Sequence, residues 1–257
     1  MRVLYACVLM IAATLPLRAD TEASRLVDAM GIPALIVSFT QDGMASARDL
    51  DASFLGGQGG DVFFETVRRL HDPARMEAEL RVAMTAALDP AAARQALVFF
   101  ESDQGTRIIE LEVEARRAMV DDALEEAAKA AADNAGDAVL RLLSVRDLVD
   151  GNTDIAVAAQ AAFFDGLAFA SGTSDRPDIE SRRGVIAEET RQWLTGYYML
   201  VASALPEDDF DTYIAFWETD VGQAVDDAMY AAFETSYVSL SYGLGQAVGR
   251  LMPQNDL

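Results

Sequence analysis

The chain has 257 residues, 51% of them hydrophobic, and carries 42 acidic against 20 basic side chains, a formal net charge of −22. Both halves are acidic, which leaves no basic face for nucleic acid and disfavours an anionic lipid surface. The single cysteine, Cys7, lies in an N-terminal apolar run, so neither disulfides nor a cysteine-ligated metal site are expected.

The N-terminus reads as a secretory signal peptide over 1–19. Met1-Arg2 is a short basic start, Val3 to Ala13 an apolar run, and "TLPLRAD" supplies Pro16 and a small residue, Ala19, for cleavage. This predicts an exported protein, placed in the periplasm, with full secretion as the alternative. Removing the leader takes away Arg2 and Arg18 and no acid, so the charge deepens. No later apolar run is uninterrupted and long enough for a membrane span, so none is expected after cleavage.

Beyond the leader the recurring period is helical. Glycine-rich "FLGGQGGD" at 54–61 and "SGTSDRPD" at 171–178 read as loops, and "DNAGD" at 133–137 as a junction. Asp72-Pro73 and Asp89-Pro90 read as helix N-caps followed by first-turn prolines. Ala93, Ala96, Leu97 and Phe100 share a helix face, as do Phe210, Tyr213, Ile214 and Trp217. Pro206 and the acids that follow it mark a helix start. The stripe from Val221 through Val225, Met229, Phe233, Tyr237, Leu240, Leu244 and Val248 to Leu251 predicts one long C-terminal helix. The expected fold is therefore all-α with antiparallel helix packing.

The sequence also repeats itself. "FFESDQG" at 99–105 and "FWETDVG" at 216–222 agree in kind at nearly every position. "RLVDAMGI" at 25–32 aligns with "RLLSVRDL" at 141–148, and Asp42-Gly43 corresponds to Asp165-Gly166. This predicts two related units, 20–136 and 137–257, of about five helices each. The motif reads as a corner between helices. Phe99-Phe100 and Phe216-Trp217 close one helix on its buried side. Ser102 and Thr219 cap the next, Asp103 and Asp220 open it, and Gly105 and Gly222 permit a close approach.

This pattern of Phe, aromatic, any residue, Ser/Thr, two residues and Gly resembles domain of unknown function 2059, most firmly at 88–120 and 205–238. The resemblance implies an exported, helical bacterial protein and a periplasmic location. That family's motif often has proline where Asp103 and Asp220 stand, which fits a first helical turn and argues against a catalytic acid there.

Candidate chemistry is sparse. Glu101 and Glu218 are paired carboxylates that could serve a hydrolase if the fold joined them, but each ends a helix and reads as a solvated acid. "DGNTDIAVAAQA" at 150–161 has acids or amides at calcium-loop spacing but lacks the loop's glycine and its last glutamate; Asn152 or Thr153 reads instead as an N-cap. The single histidine, His71, reads as a helix-end residue. No catalytic residue, cofactor motif or metal cluster is assigned. "IAVAAQAAFFDGLAFA" at 155–170 is apolar nearly all round, like its counterpart at 32–45. It reads first as a core helix, otherwise as an apolar pocket or subunit interface contacted through Phe163, Phe164 and Phe169. The leading expectation is a non-catalytic envelope interaction or assembly module, self-associating or meeting a partner with a basic surface. A carrier of an apolar small molecule or lipid between the two units comes second, and a carboxylate-dependent hydrolase third.

Overall fold

The computed structural model describes residues 21–173 and 176–252, and over them it is all-helical. The signal peptide read over 1–19, with Cys7, lies outside the described residues. In chain order the helices are α1 Glu22–Ala29, α2 Ile32–Leu55, α3 Gly60–Leu70, α4 Pro73–Ala87, α5 Pro90–Phe100, α6 Asp103–Ala118 and α7 Asp122–Ala131. After the junction come α8 Asp137–Val145, α9 Leu148–Ser171, α10 Arg183–Ser203, α11 Glu207–Trp217 and α12 Asp220–Leu251.

Local chemistry sets these boundaries. Asp72 and Asp89 accept from the first free backbone N–H groups of α4 and α5, and the prolines that follow need no donor there. Both expected loops fall between helices, at 56–59 and after Ser171. Seven helices precede the junction, not five. Asp121 caps α7 and breaks the path that α12 continues unbroken for 32 residues, and the glycine loop releases α3 as a separate helix.

The two corner motifs have the same construction. Ser102 Oγ accepts from the Gly105 N–H at 3.0 Å and donates to the Phe99 carbonyl at 2.6 Å. Thr219 Oγ1 accepts from Gly222 at 3.0 Å and donates to Phe216 at 2.7 Å. The glycines are required by the corner itself. A Cβ on Gly105 would lie 2.1 Å from the Phe99 carbonyl oxygen, and one on Gly222 2.4 Å from that of Phe216. Two further positions match: Gly31 before α2 and Asp147 before α9 both have left-handed backbone.

One main hydrophobic cluster draws on both halves, from Ala23 and Leu26 through Phe100 and Ile108 to Trp217 and Leu240. Its centre is the meeting of the corners, where the Phe99 and Phe216 rings stack 4.6 Å apart and Phe100 meets Phe216 and Trp217 edge-on. A second cluster joins the end of α2 and α3 to the C-terminal parts of α9 and α12, through Phe63, Val67, Leu167 and Val248.

Helix α9 is the long apolar segment expected to be a covered core helix, and it is only partly covered. By length and composition it is apolar enough to cross a membrane, with mean hydropathy 1.2, but only 28% of that stretch is buried. Its N-terminus lies at Leu148, so Asn152 and Thr153 are inside the helix, not at its cap, and their side chains turn back to the Leu148 and Val149 carbonyls. It runs against α12 in the most extensive helix–helix contact of the chain. Glycines bring the two backbones together: a Cβ on Gly245 would lie 1.9 Å from the Phe163 carbonyl oxygen, and one on Gly166 2.1 Å from that of Tyr242.

Because these neighbours are backbone atoms, Gly245→Ala should separate α9 from α12 and cost about 3 kcal/mol, at the top of the overpacking range. Gly184→Ala, with nothing within 4 Å, should be neutral or stabilise by up to about 0.5 kcal/mol. Urea denaturation of both variants checks this.

Candidate functional site

A cavity of about 1010 Å³ opens between the halves, bounded by the α1–α2 corner, α6, α7, the start of α9, α10, α11 and α12. Its walls are apolar: Met30, Ile32, Leu35 and Phe39 from the first half face Leu148, Ile155, Ala156 and Ala159 of α9. Trp193 and Leu194 of α10 and Met229, Phe233 and Tyr237 of α12 complete them. Three residues of the C-terminal stripe thus face a cavity instead of a closed core.

The floor is polar and buried. Arg146, 6% exposed, closes α8 and donates to Asp226 of α12 through Nη2 at 2.7 Å and Nε at 3.0 Å. Its Nη1 donates to the Tyr198 hydroxyl at 3.0 Å and more loosely to that of Tyr213 at 3.4 Å. The guanidinium lies over the Trp217 ring, 3.7 Å from its centre, so the motif's tryptophan forms part of the floor. Burial opposes the Arg146 charge, but Asp226 with Tyr198 and Tyr213 outweighs it and holds the group well above its ordinary pKa. Tyr230 donates to the Arg146 carbonyl at 3.2 Å.

Glu112 of α6 is the second buried acid. It accepts from the Tyr213 hydroxyl at 2.6 Å, and its backbone carbonyl accepts from Tyr197 at 3.0 Å. Burial pushes its carboxyl up; Arg146 and the Tyr213 bond pull it down, while Asp226 adds to the rise. One turn on, Arg116 pairs with Asp42 and sits between the Phe39 and Trp193 rings, at 5.3 and 5.1 Å. Arg116 Nε and Trp217 Nε1 are buried without a hydrogen-bond partner among the described residues. Glu125, Glu126 and Glu189 lie at the rim, where Lys129 bridges the first two.

The residues singled out in the sequence are distributed differently. Of the repeated motif, only Trp217 lines the cavity. Glu101 and Glu218 are each held by an arginine of their own half, Arg25 at 2.7 Å and Arg141 at 2.6 Å; these arginines open the two aligned stretches at 25 and 141. Phe163, Phe164 and Phe169 do not line the cavity. Phe163 packs on Phe54 at 5.6 Å, Phe164 joins a small cluster with Val157, Ile179 and Ile186, and Phe169 is 72% exposed. His71 is the buried cap of α3, its Nδ1 3.0 Å from the Val67 carbonyl, and its ring fills the space beside Gly43. No group of three or more metal-binding side chains occurs among the described residues.

The floor residues Glu112, Arg146 and Asp226 escaped the sequence reading, although a signal was present. In the aligned stretches Arg146 stands where the first half has Met30, and at the motif's spacing Asp226 stands where it has Ile109. At both positions a buried charge stands where the aligned residue of the first half is a buried hydrophobe.

Two buried groups give opposite pH dependences. Burial lowers the His71 pKa, so its contribution to stability is complete above the unfolded value of about 6.5 and is lost as pH falls below it. The Glu112 pKa is raised, so its contribution is complete below about pH 4.3 and is lost as pH rises through the folded value. Glu112→Gln should therefore raise Tm at pH 7 and leave it nearly unchanged near about pH 4, measured by thermal scans across pH.

No family model, curated protein or solved structure matches the chain.

Proposed function

We propose that this is an exported binding protein or carrier for a small molecule with an apolar body and a polar end, held between two related helical units. The observation that carries this reading is the cavity of about 1010 Å³, apolar in its walls and polar at its floor. Ligand sites are of about 300–1,000 Å³, mostly apolar, with a few convergent polar groups that fix orientation. A buried ion pair often stabilises no better than packed apolar side chains of the same volume, so its place at the base of an apolar cavity supports a role beyond packing.

The two-unit reading is supported by the corners at Ser102 and Thr219, by the left-handed residues Gly31 and Asp147, and by the pairs Arg25–Glu101 and Arg141–Glu218. In this reading the copies diverged where the cavity needed a floor: Met30 and Ile109 stayed apolar while Arg146 and Asp226 became a buried ion pair. The leader-like sequence at 1–19 and the resemblance to domain of unknown function 2059 support a periplasmic location. A second reading, an interaction or assembly surface, is favoured by Phe169, which stands 72% exposed on α9.

Native mass spectrometry of protein purified from the periplasm should show added mass of a few hundred daltons, extractable into organic solvent. Ala159→Trp, which places an indole in the cavity from α9, should abolish that mass while leaving helicity and Tm near those of the parent. A bare chain from every preparation would sink the carrier, and a bare multiple of it would favour assembly, with Phe169→Asp then expected to yield a monomer.

A further inference from the structure

Within the binding reading just proposed, on which this inference rests, charge and ring geometry narrow the ligand. We infer that the cavity takes a monocation with an apolar body, an alkylammonium-type amphiphile whose head binds against the Glu112 carboxylate on the aromatic floor.

The first argument is the charge balance of the buried cluster. It holds two carboxyls, Glu112 and Asp226, and one guanidinium, Arg146. Arg146 is committed to Asp226 by three hydrogen bonds. Arg116, the other base near the floor, is engaged by Asp42. Glu112 is left with the Tyr213 hydroxyl and no ion-pair partner among the described residues. The cluster is short of one positive charge, and a proton or a cationic head supplies it.

The second argument is the surroundings. Tyr197 and Tyr213 meet Glu112 through their hydroxyls, Tyr198 and Trp193 pack on Tyr197, and the aromatic lining already holds cations on its faces, Arg116 over Trp193 and Arg146 over Trp217. The third is the route in. The cavity lining carries five acids against three bases, and the whole chain is at −22, so cations are drawn to the opening and anions repelled. An anionic head would find on the floor only bases already paired with acids, Arg146 with Asp226 and Arg116 with Asp42, and the buried donors left over, Arg116 Nε and Trp217 Nε1, suit a neutral acceptor. Burial raises the Glu112 pKa, against the pull of Arg146 and the Tyr213 hydroxyl, so at a pH where the carboxyl holds its proton an arriving ammonium displaces that proton to solvent.

Proton and ligand are therefore linked. Cation affinity should rise with pH and level off above the folded Glu112 value, while a neutral ligand stays flat. The groups facing Glu112 are Tyr197 and Tyr198 from α10, Tyr213 from α11, Asp226 from α12, Arg146 from the end of α8 and Arg116 on α6 itself. None of the tyrosines ionises near neutrality, because burial raises all three.

The test uses three probes of one alkyl length, below their micellar concentrations: an alkyltrimethylammonium, an n-alkanol and an n-alkanoate. The only two tryptophans, Trp193 and Trp217, both line the cavity, so intrinsic fluorescence of the full chain reports occupancy. At pH 7 the ammonium should bind on the order of tenfold more tightly than the alkanol, with the alkanoate weakest. Glu112→Gln should close the gap between ammonium and alkanol. Calorimetry in two buffers should register proton release on ammonium binding at acid pH and none for the alkanol. If the alkanol or the alkanoate binds as tightly as the ammonium, the head-group inference is overturned and the binding cavity stands. If no probe changes the fluorescence, the cavity reading falls with it.

Discussion

A nearly fully buried guanidinium constrains much of this molecule. An isolated buried charge costs several kcal/mol, and only close partners offset it. Arg146 obtains them from different elements: the Asp226 carboxylate from α12, the Tyr198 hydroxyl from α10, and the Tyr213 hydroxyl and Trp217 ring from α11. Each must stay in place for the charge to be tolerated, so the arginine fixes the relative positions of the helices that build the floor. The turn that delivers it is unusual too. Asp147, the next residue, is the one non-glycine with positive φ among the described residues, a conformation that favours glycine and costs other residues about 1–3 kcal/mol.

The corners supply the rigidity behind this arrangement. Each has a hydroxyl that both donates and accepts, fixing the end of one helix to the start of the next, and a glycine packed on a carbonyl where no side chain fits. The stacked Phe99 and Phe216 rings then join one corner to the other. Trp217 belongs to both arrangements, packing on Phe100 through one set of contacts and lying against the Arg146 guanidinium through another. A residue conspicuous in the sequence as part of a scaffold motif is therefore also a piece of the cavity floor.

Which parts were legible in the sequence follows from the range of the interactions involved. Helices, caps and corners depend on neighbours within a few positions, so Asp72, Asp89, Ser102 and Thr219 could be read directly. Burial of the faces at Ala93–Phe100 and Phe210–Trp217 followed from period alone. The cavity did not, because Met229, Phe233 and Tyr237 face it with the same period that a closed core would impose. Composition also misled at α9. An almost wholly apolar helix suggests cover on every side, yet its small residues serve a close approach along one line, against Gly245 and Gly249, leaving other faces to solvent or to the cavity.

The polar floor was hidden for a different reason. Glu112 and Asp226 are two acids among 42, and nothing local separates a buried carboxylate from a solvated one. The distinction lies in what each position would be in the other half. Where aligned positions agree, as at Leu26 and Leu142 or Ser102 and Thr219, packing and capping explain both. Where they differ, as at Met30 and Arg146 or Ile109 and Asp226, the second residue is charged and buried, and the two charged residues are each other's ion-pair partners. Introducing either charge alone would leave it unpaired in the interior, at a cost of about 3–5 kcal/mol. The two charges therefore depend on each other, and together they form the polar base of a cavity whose walls are apolar.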